Sequence, residues 1–180
     1  MSWLDFLRTP PAGSPGEEPC ERLEIPLFPL SAVLLPGGLL SLKVFEQRYL
    51  DMVAACMKSS TPFGVCLIAS GKEIGGAAVP HKVGTLAHVV LGDMPQLGIL
   101  MLSVRGGRRF RIISRATQSD GLQRAQVELL PEALHTPIPQ AQRGLLPLLR
   151  KISVDLGPEK MPEPHAFDDA SWVGYPLTDI

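Results

Sequence analysis

Charge is scarce and almost balanced in this chain: seventeen Lys and Arg stand against eighteen Asp and Glu in 180 residues, a formal net charge of −1. No global field draws it to nucleic acid or to an anionic membrane, so any such role must come from a local patch. Cysteine is equally short. Cys20, Cys56 and Cys66 are too few and too scattered for a disulfide framework, and no Cys-x-x-Cys pair offers a zinc site. The opening MSWLDFLRT has an early Asp5 and no apolar stretch of signal-peptide length, and neither end carries a lipidation pattern. The expected setting is therefore reducing and cytoplasmic. Signatures of nucleotide and hydrolase chemistry are missing as well. Ser70-Gly71-Lys72 resembles a phosphate loop only until Cys66 stands for its first glycine and Glu73 for its magnesium-binding hydroxyl. With no G-x-S-x-G elbow and no H-E-x-x-H pair either, no catalytic, cofactor-binding or metal-ligating residue is expected, and the chain reads as a non-enzyme.

What the chain does have is a long uncharged run, IPLFPLSAVLLPGGLLSL, residues 25–42. Its eighteen residues reach the lower end of the length that a membrane helix requires. Pro26, Pro29 and Pro36 each lack an N–H, and Gly37-Gly38 adds a break, so the run cannot satisfy its own backbone as a helix in lipid. It reads instead as strand, Pro-braced loop and strand, outside any membrane. Glycine and proline total 35 of 180 residues, which favours a turn-rich β fold.

Along the chain, residues 1–20 form an apolar tag (Trp3, Leu4, Phe6, Leu7) and a Pro-rich linker, set apart from a domain over 21–132 and a helical extension over 133–180. Leu23, Ile25 and Leu27 alternate, as do Leu40, Leu42 and Val44, which is the period of half-buried strands. EQRYLDMVAACMKSS puts Tyr49, Val53, Cys56 and Met57 on one helical face, with Pro62 beyond its end. FGVCLIA, 63–69, is apolar without alternation, as a strand covered on both faces would be. A meander follows from Val83 to Leu130, with turns expected at GDMPQ (92–96), Gly106-Gly107 and Asp120-Gly121. A two-residue hairpin at Asp120-Gly121 would set Ile112 opposite Leu129, Ser114 opposite Val127 and Ala116 opposite Ala125. After Pro131, Leu145, Leu148, Leu149, Ile152 and Leu156 recur at helical intervals around Pro147. Asp168 or Asp169 can then cap a last helix that buries Trp172 and is limited by Pro176.

Two kinds of charged residue need placing. His88 shares a strand face with Leu86 and Val90 and reads as a core imidazole, while His81 sits in a turn beside Pro80; their odd spacing aims them at opposite faces, which is wrong for a metal pair. RGGRRFRIISR carries Arg105, Arg108, Arg109, Arg111 and Arg115, with Arg109, Arg111 and Arg115 on one face by alternation and Phe110 on the other. Such a basic strand is the alternative functional reading, an RNA-binding module. Glu128 on the neighbouring strand and the neutral net charge weigh against nucleic acid as the partner.

IPLFPL, VLLPGG, the FEQRY junction (45–49), FGVCLI, VGT, GGRRFRI and VELLPE occur in an order that resembles the N-terminal, substrate-binding domain family of the Lon protease, across residues 25–132. The resemblance implies a PUA-like pseudo-β-barrel with one inserted helix and a small C-terminal helical region, an α+β fold that is mainly β. It also implies peptide or protein binding without the ATPase and peptidase parts, as in stand-alone bacterial members of the family. The implied partners are extended or unfolded polypeptide and a separate protease or chaperone. Gln47 stands where the family often has proline. Phe45, Glu46, Arg48 and Tyr49 are expected to be structural, with the Phe45 ring and the Tyr49 phenol filling the strand-to-helix corner, and Phe110 likewise. Phe28, Leu34, Leu35 and Met94 are the candidate peptide contacts, Leu34 and Leu35 because an uncovered pair there would form an apolar patch.

Overall fold

The computed structural model describes residues 21–76, 78–132, 135–160 and 165–178. The tag and linker expected at 1–20 lie outside the described residues, as does the end of the second Pro-rich connector at 161–164. Among the described residues six strands and three α-helices follow in the order β1 (Arg22–Leu30), β2 (Leu39–Val44), α1 (Gln47–Ser59), β3 (Phe63–Ser70), β4 (Val79–Gln96), β5 (Ile99–Thr117), β6 (Gln123–Leu129), α2 (Leu146–Lys160) and α3 (Ala170–Thr178). The fold is mainly β with α, as the sequence implies.

The strand order β2-β5-β4-β3-β1-β6 closes on itself through a further β5–β6 pairing, so five strands form a ring and β2 hangs from the outside of β5. β1 joins the ring by changing neighbours: Arg22 to Leu27 pair with β6, and Leu27 to Leu30 pair in parallel with β3. Among the described residues each half of β1 is thus hydrogen-bonded on one edge only, which is where a strand tolerates Pro26 and Pro29.

Alternation then sorts the side chains into two cores. Ile25, Leu27, Cys66, Leu86, Phe110, Ala125, Val127 and Leu129 fill the ring. Phe28, Leu30, Phe63, Val65, Ala87, Leu102 and Val104 point outward under α1, where they meet Tyr49, Met52, Val53 and Cys56. β3 is therefore buried on both faces along its first half, by ring and helix, as its unbroken apolar run predicts. On α1, Met52 takes the buried place expected for Met57, which is exposed.

The long meander departs from its expected turns. GDMPQ is not a turn, because β4 runs through it to Gln96 and the chain reverses at Leu97-Gly98, where Gly98 has φ 80°. Gly106-Gly107 is not a break either. β5 is continuous there because the 35–38 loop crosses it: a Cβ on Gly106 would stand 2.0 Å from the Leu35 carbonyl oxygen. Gly106 also donates its N–H to Gly38 at 2.9 Å and accepts from Gly37 at 2.8 Å.

The β5–β6 hairpin turns over three residues, Ser119 to Gly121. Gly121 (φ 85°) donates to the Gln118 carbonyl at 2.9 Å, and Gln118 donates to the Leu122 carbonyl at 2.8 Å. Phe110 consequently opposes Leu129, and Ile112 opposes Val127 rather than Leu129. A shift of two keeps the apolar faces matched, so alternation alone does not distinguish the two registers. A bulge between Ile112 and Ser114 then sets Ser114 against Gln126, Arg115 against Ala125 and Ala116 against Arg124.

Beyond the ring, a 3-10 segment (Gln140–Leu145) leads into α2, with Pro147 in its first turn, where the missing N–H costs nothing. Ile138, Leu149 and Val173 form a third small core with Trp172 packed against it, while Leu145 and Leu148 stay exposed. Asp169 is the cap of α3, accepting from the Ser171 N–H at 3.0 Å, and the helix continues past Pro176.

Ring closure depends on two missing side chains. A Cβ on Gly84 would lie 2.5 Å from Cys66 Sγ and from the Val65 carbonyl, and 2.7 Å from the Phe110 ring; on Gly64 it would lie 2.6 Å from that ring. Gly84→Ala is expected to cost about 1–3 kcal/mol in chemical denaturation through overpacking. Gly76→Ala, where an added methyl meets nothing within 4 Å, should leave the midpoint unchanged.

Candidate functional site

The feature that the ring does not explain is the far half of the β4–β5 hairpin. Beyond Ala87, β4 has left β3 and pairs with β5 alone, out to Gln96 against Ile99. This projection carries Val90, Leu91 (66% exposed), Met94 (52%), Leu97 at its tip (93%) and Met101. Register assigns their faces. Leu100 and Leu102 point into the core under α1, so Leu91, opposite Ser103, and Met101, opposite Asp93, occupy the other face.

Toward α1, Gly92 faces the tip of Met57: a Cβ there would be in ordinary contact, 3.7 Å from its Cε. Between the end of α1 and β4 runs a groove of about 260 Å³, lined among others by Met57, Thr61, Val89 and Leu91. Of the described methionines only Met52 is buried; Met57, Met94 and Met101 are exposed here. Unbranched thioethers adapt their shape to different partners, which suits a surface that accepts varied apolar side chains.

Of the four expected peptide contacts, Met94 alone lies on this surface. Phe28 is in the core, its ring stacked 4.1 Å from that of Tyr49, and Leu34 is 3% exposed beneath the crossing loop, so neither can touch a partner. Leu35 is half-buried, its carbonyl against Gly106. The sequence missed Val90, Leu91, Leu97 and Met101 because Gly92, Asp93 and Pro95 read as a turn. The unbroken apolar stretch at 89–91 was the available signal.

The strand-to-helix corner differs from expectation in one residue. Phe45 is 46% exposed, and Phe28 takes the place against Tyr49 that was expected of it. Arg48 holds the corner: Nη2 donates to Glu46 Oε2 at 2.7 Å, Nη1 donates to the Gly121 carbonyl at 3.0 Å, and the guanidinium lies 4.6 Å over the Tyr49 ring. Burial under this cover pushes the Tyr49 phenol up. Gln47 opens α1 in place of proline and donates to Asp51 at 2.8 Å, one turn on.

The arginine ladder is broken. Arg109 and Arg111 point out from the ring, but the bulge turns Arg115 onto the face of Ala125, where it donates to Gln123 at 2.7 Å. Glu128 lies directly opposite Arg111, and Arg108 is paired with Glu21 at 3.0 Å. No single basic face remains for a phosphate backbone.

A second cleft, of about 460 Å³, opens between the ring wall at Pro36, His88, Arg108 and Arg109 and the α3 side chains Ser171, Trp172 and Tyr175. His88 is exposed and lies against Gly107, where a Cβ would be 2.7 Å from its Nε2; β4 pairs with β3 only as far as Ala87, so His88 stands past the ring and the core place expected of it is absent. His81 is exposed within β4 rather than in a turn. Asp169, at the cleft's edge, accepts from the Thr136 N–H at 3.1 Å as well as from Ser171. These donors, Thr136 first, hold its carboxyl below the usual range. Burial pushes the Cys66 thiol up to about 12 and raises that of Cys56, which makes both poor nucleophiles at neutral pH. Among the described residues no three His, Cys, Asp or Glu side chains gather as a metal set, and no helix is long and apolar enough to cross a membrane.

Residues 24–170 match the family described as the ATP-dependent protease La (LON) substrate-binding domain. The chain belongs to this family. A Lon N-terminal domain protein from Xanthomonas campestris is similar in structure, with a TM-score of 0.70 and 33% identity over 88% of this chain and 82% of that one. The N-terminal domain of the Mycobacterium avium complex Lon protease shares the fold at a TM-score of 0.50 and 17% identity, over 74% of this chain and 67% of that one. Cereblon from Danio rerio is 28% identical over 69% of this chain, and cereblon from Gallus gallus 30% over 60%. The chain spans only 29% and 24% of the length of those two proteins.

In this Lon-family domain, Asp169 ties α3 to the 135–137 segment, which bridges back to it at Pro137. A carboxylate whose folded pKa is depressed contributes stability that is complete above its unfolded value and is lost as pH falls through the folded one. Acid titration below 3.8 should therefore loosen the C-terminal layer, read by Trp172 fluorescence in a Trp3→Phe background. Asp169→Asn keeps an accepting oxygen without the titration and should remove that part of the acid response.

Proposed function

We propose that this chain is a non-enzymatic module that binds extended or partly unfolded polypeptide for a separate protease or chaperone, in a reducing, cytoplasmic compartment. The observation that carries the reading is the apolar projection of the β4–β5 hairpin, where Leu91, Met94, Leu97 and Met101 stand exposed on a rigid support. Such a patch on a folded surface marks a site of protein contact. The family supports the same reading, since its description is that of a substrate-binding domain. The free thiols of Cys56 and Cys66 fit the compartment.

The test is binding of fluorescent, carboxymethylated and hence permanently unfolded α-lactalbumin, followed by anisotropy against the native form of the same protein. The unfolded form should bind and the native form should not. Leu97→Asp and Leu91→Asp should each weaken binding about tenfold or more, given the apolar area that one buried leucine removes from water. Their melting temperatures should not change, because both side chains are exposed in the free protein. Equal binding of native and unfolded forms, or unchanged affinity in the double variant, would refute the reading.

A further inference from the structure

Among the described residues β2 has a hydrogen-bonded neighbour on one side only, β5. The other open edge, the far half of β4, is protected in the manner of natural sheet edges: its register slips between Val89 and Leu91 and between Asp93 and Gln96, and it contains Pro95. β2 has neither a bulge nor a proline, and its one edge charge is Lys43. Its six residues pair in unbroken register, Leu39 against Arg105 through Val44 against Leu100.

The direction of its free groups follows from one bond. Gly106 donates to the Gly38 carbonyl at 2.9 Å, so the hydrogen-bonded pairs with β5 fall at Leu40, Leu42 and Val44. The N–H and C=O groups of Leu39, Ser41 and Lys43 then point away from β5, and among the described residues no other backbone meets them.

From this geometry we infer that β2 is a docking edge, on which the client backbone adds as a further strand of the sheet. The inference rests on the polypeptide-binding reading above and gives it a mode. Main-chain bonds to Leu39, Ser41 and Lys43 supply affinity that does not depend on sequence, and side chains set the preference. Alternate client residues would extend the face of Leu40, Leu42 and Val44, where Leu40 is only partly covered, and should be apolar. On the opposite face the residue beside Lys43 should be acidic. A second copy of this chain is the poorer occupant, because β2 contains no carboxylate, and antiparallel β2–β2 pairing centred on Ser41 would set each Lys43 beside a leucine.

The probe is a nine-residue peptide of alternating valine and threonine with one central glutamate in a threonine position, made in two N-methylated forms that block alternate N–H sets. One form should lose at least about tenfold in affinity and the other should bind as the parent does, because a strand presents only one set to an edge. Ser41→Pro removes an outward donor while leaving the β5 ladder intact. It should keep the wild-type melting temperature and lose the peptide. Lys43→Glu should reverse the preference between the glutamate peptide and its lysine counterpart. Equal binding of the two methylated forms overturns the inference, and so does a Ser41→Pro protein that binds normally. If unfolded α-lactalbumin still binds and responds to Leu97→Asp, the function stands and only the mode fails. If nothing unfolded binds, the function fails first. A dimer that Ser41→Pro dissociates, seen by sedimentation, would instead assign the edge to a second copy and overturn the client as its occupant.

Discussion

Phe110 is fully buried inside the ring, and its Cζ lies where side chains on Gly64 and Gly84 would have to be. The bore is narrow enough that one phenyl ring and two absent side chains decide whether it closes. Because the two glycines sit on β3 and β4, the phenyl ring draws both strands toward β5, and the apolar residues of β1 and β6 complete its enclosure. Everything outside the ring takes its place from that closure. β5 is held at its centre, so its first half can extend beyond the barrel with β4 on one side and β2 on the other.

α1 transmits the same constraint to the helical side. Its buried stripe, Tyr49, Met52, Val53 and Cys56, lies on residues that β1 and β3 turn outward from the ring. Arg48 fastens the start of the helix to the β5–β6 turn through the Gly121 carbonyl, a contact between residues 73 apart in sequence. A guanidinium suits the place because one planar group meets a carboxylate, a carbonyl and an aromatic face together, which an ammonium cannot do. The result is a stiff base beneath a projecting hairpin. Preorganisation of this kind would lower the ordering cost of the binding proposed above.

Much of this was legible before any coordinates. Alternation located β1 and β2, an unbroken apolar run located the two-sided β3, and helical spacing located α1, because each pattern follows directly from which faces are covered. The motif order led to the family that residues 24–170 match. The reading failed where one residue type serves two ends. Gly106 and Gly107 looked like a turn but admit a crossing loop and His88, and Gly92, Asp93 and Pro95 looked like a turn but lie within a bulged strand. Leu34 and Phe28 were drawn as surface candidates because an apolar residue in a Pro-rich stretch carries no sign of which side will be covered.

The sequence by itself determined the class of fold, the strands with a single exposed face and the absence of the common catalytic motifs, since each depends on residue type and short-range period. Tertiary structure alone decided the bulge that separates Arg115 from Arg109 and Arg111, the burial of Leu34, the exposure of Leu91 and Leu97, and the pairing of β2 with β5 alone among the described strands. Those depend on which distant strand arrives as a neighbour, and local periodicity holds no record of that.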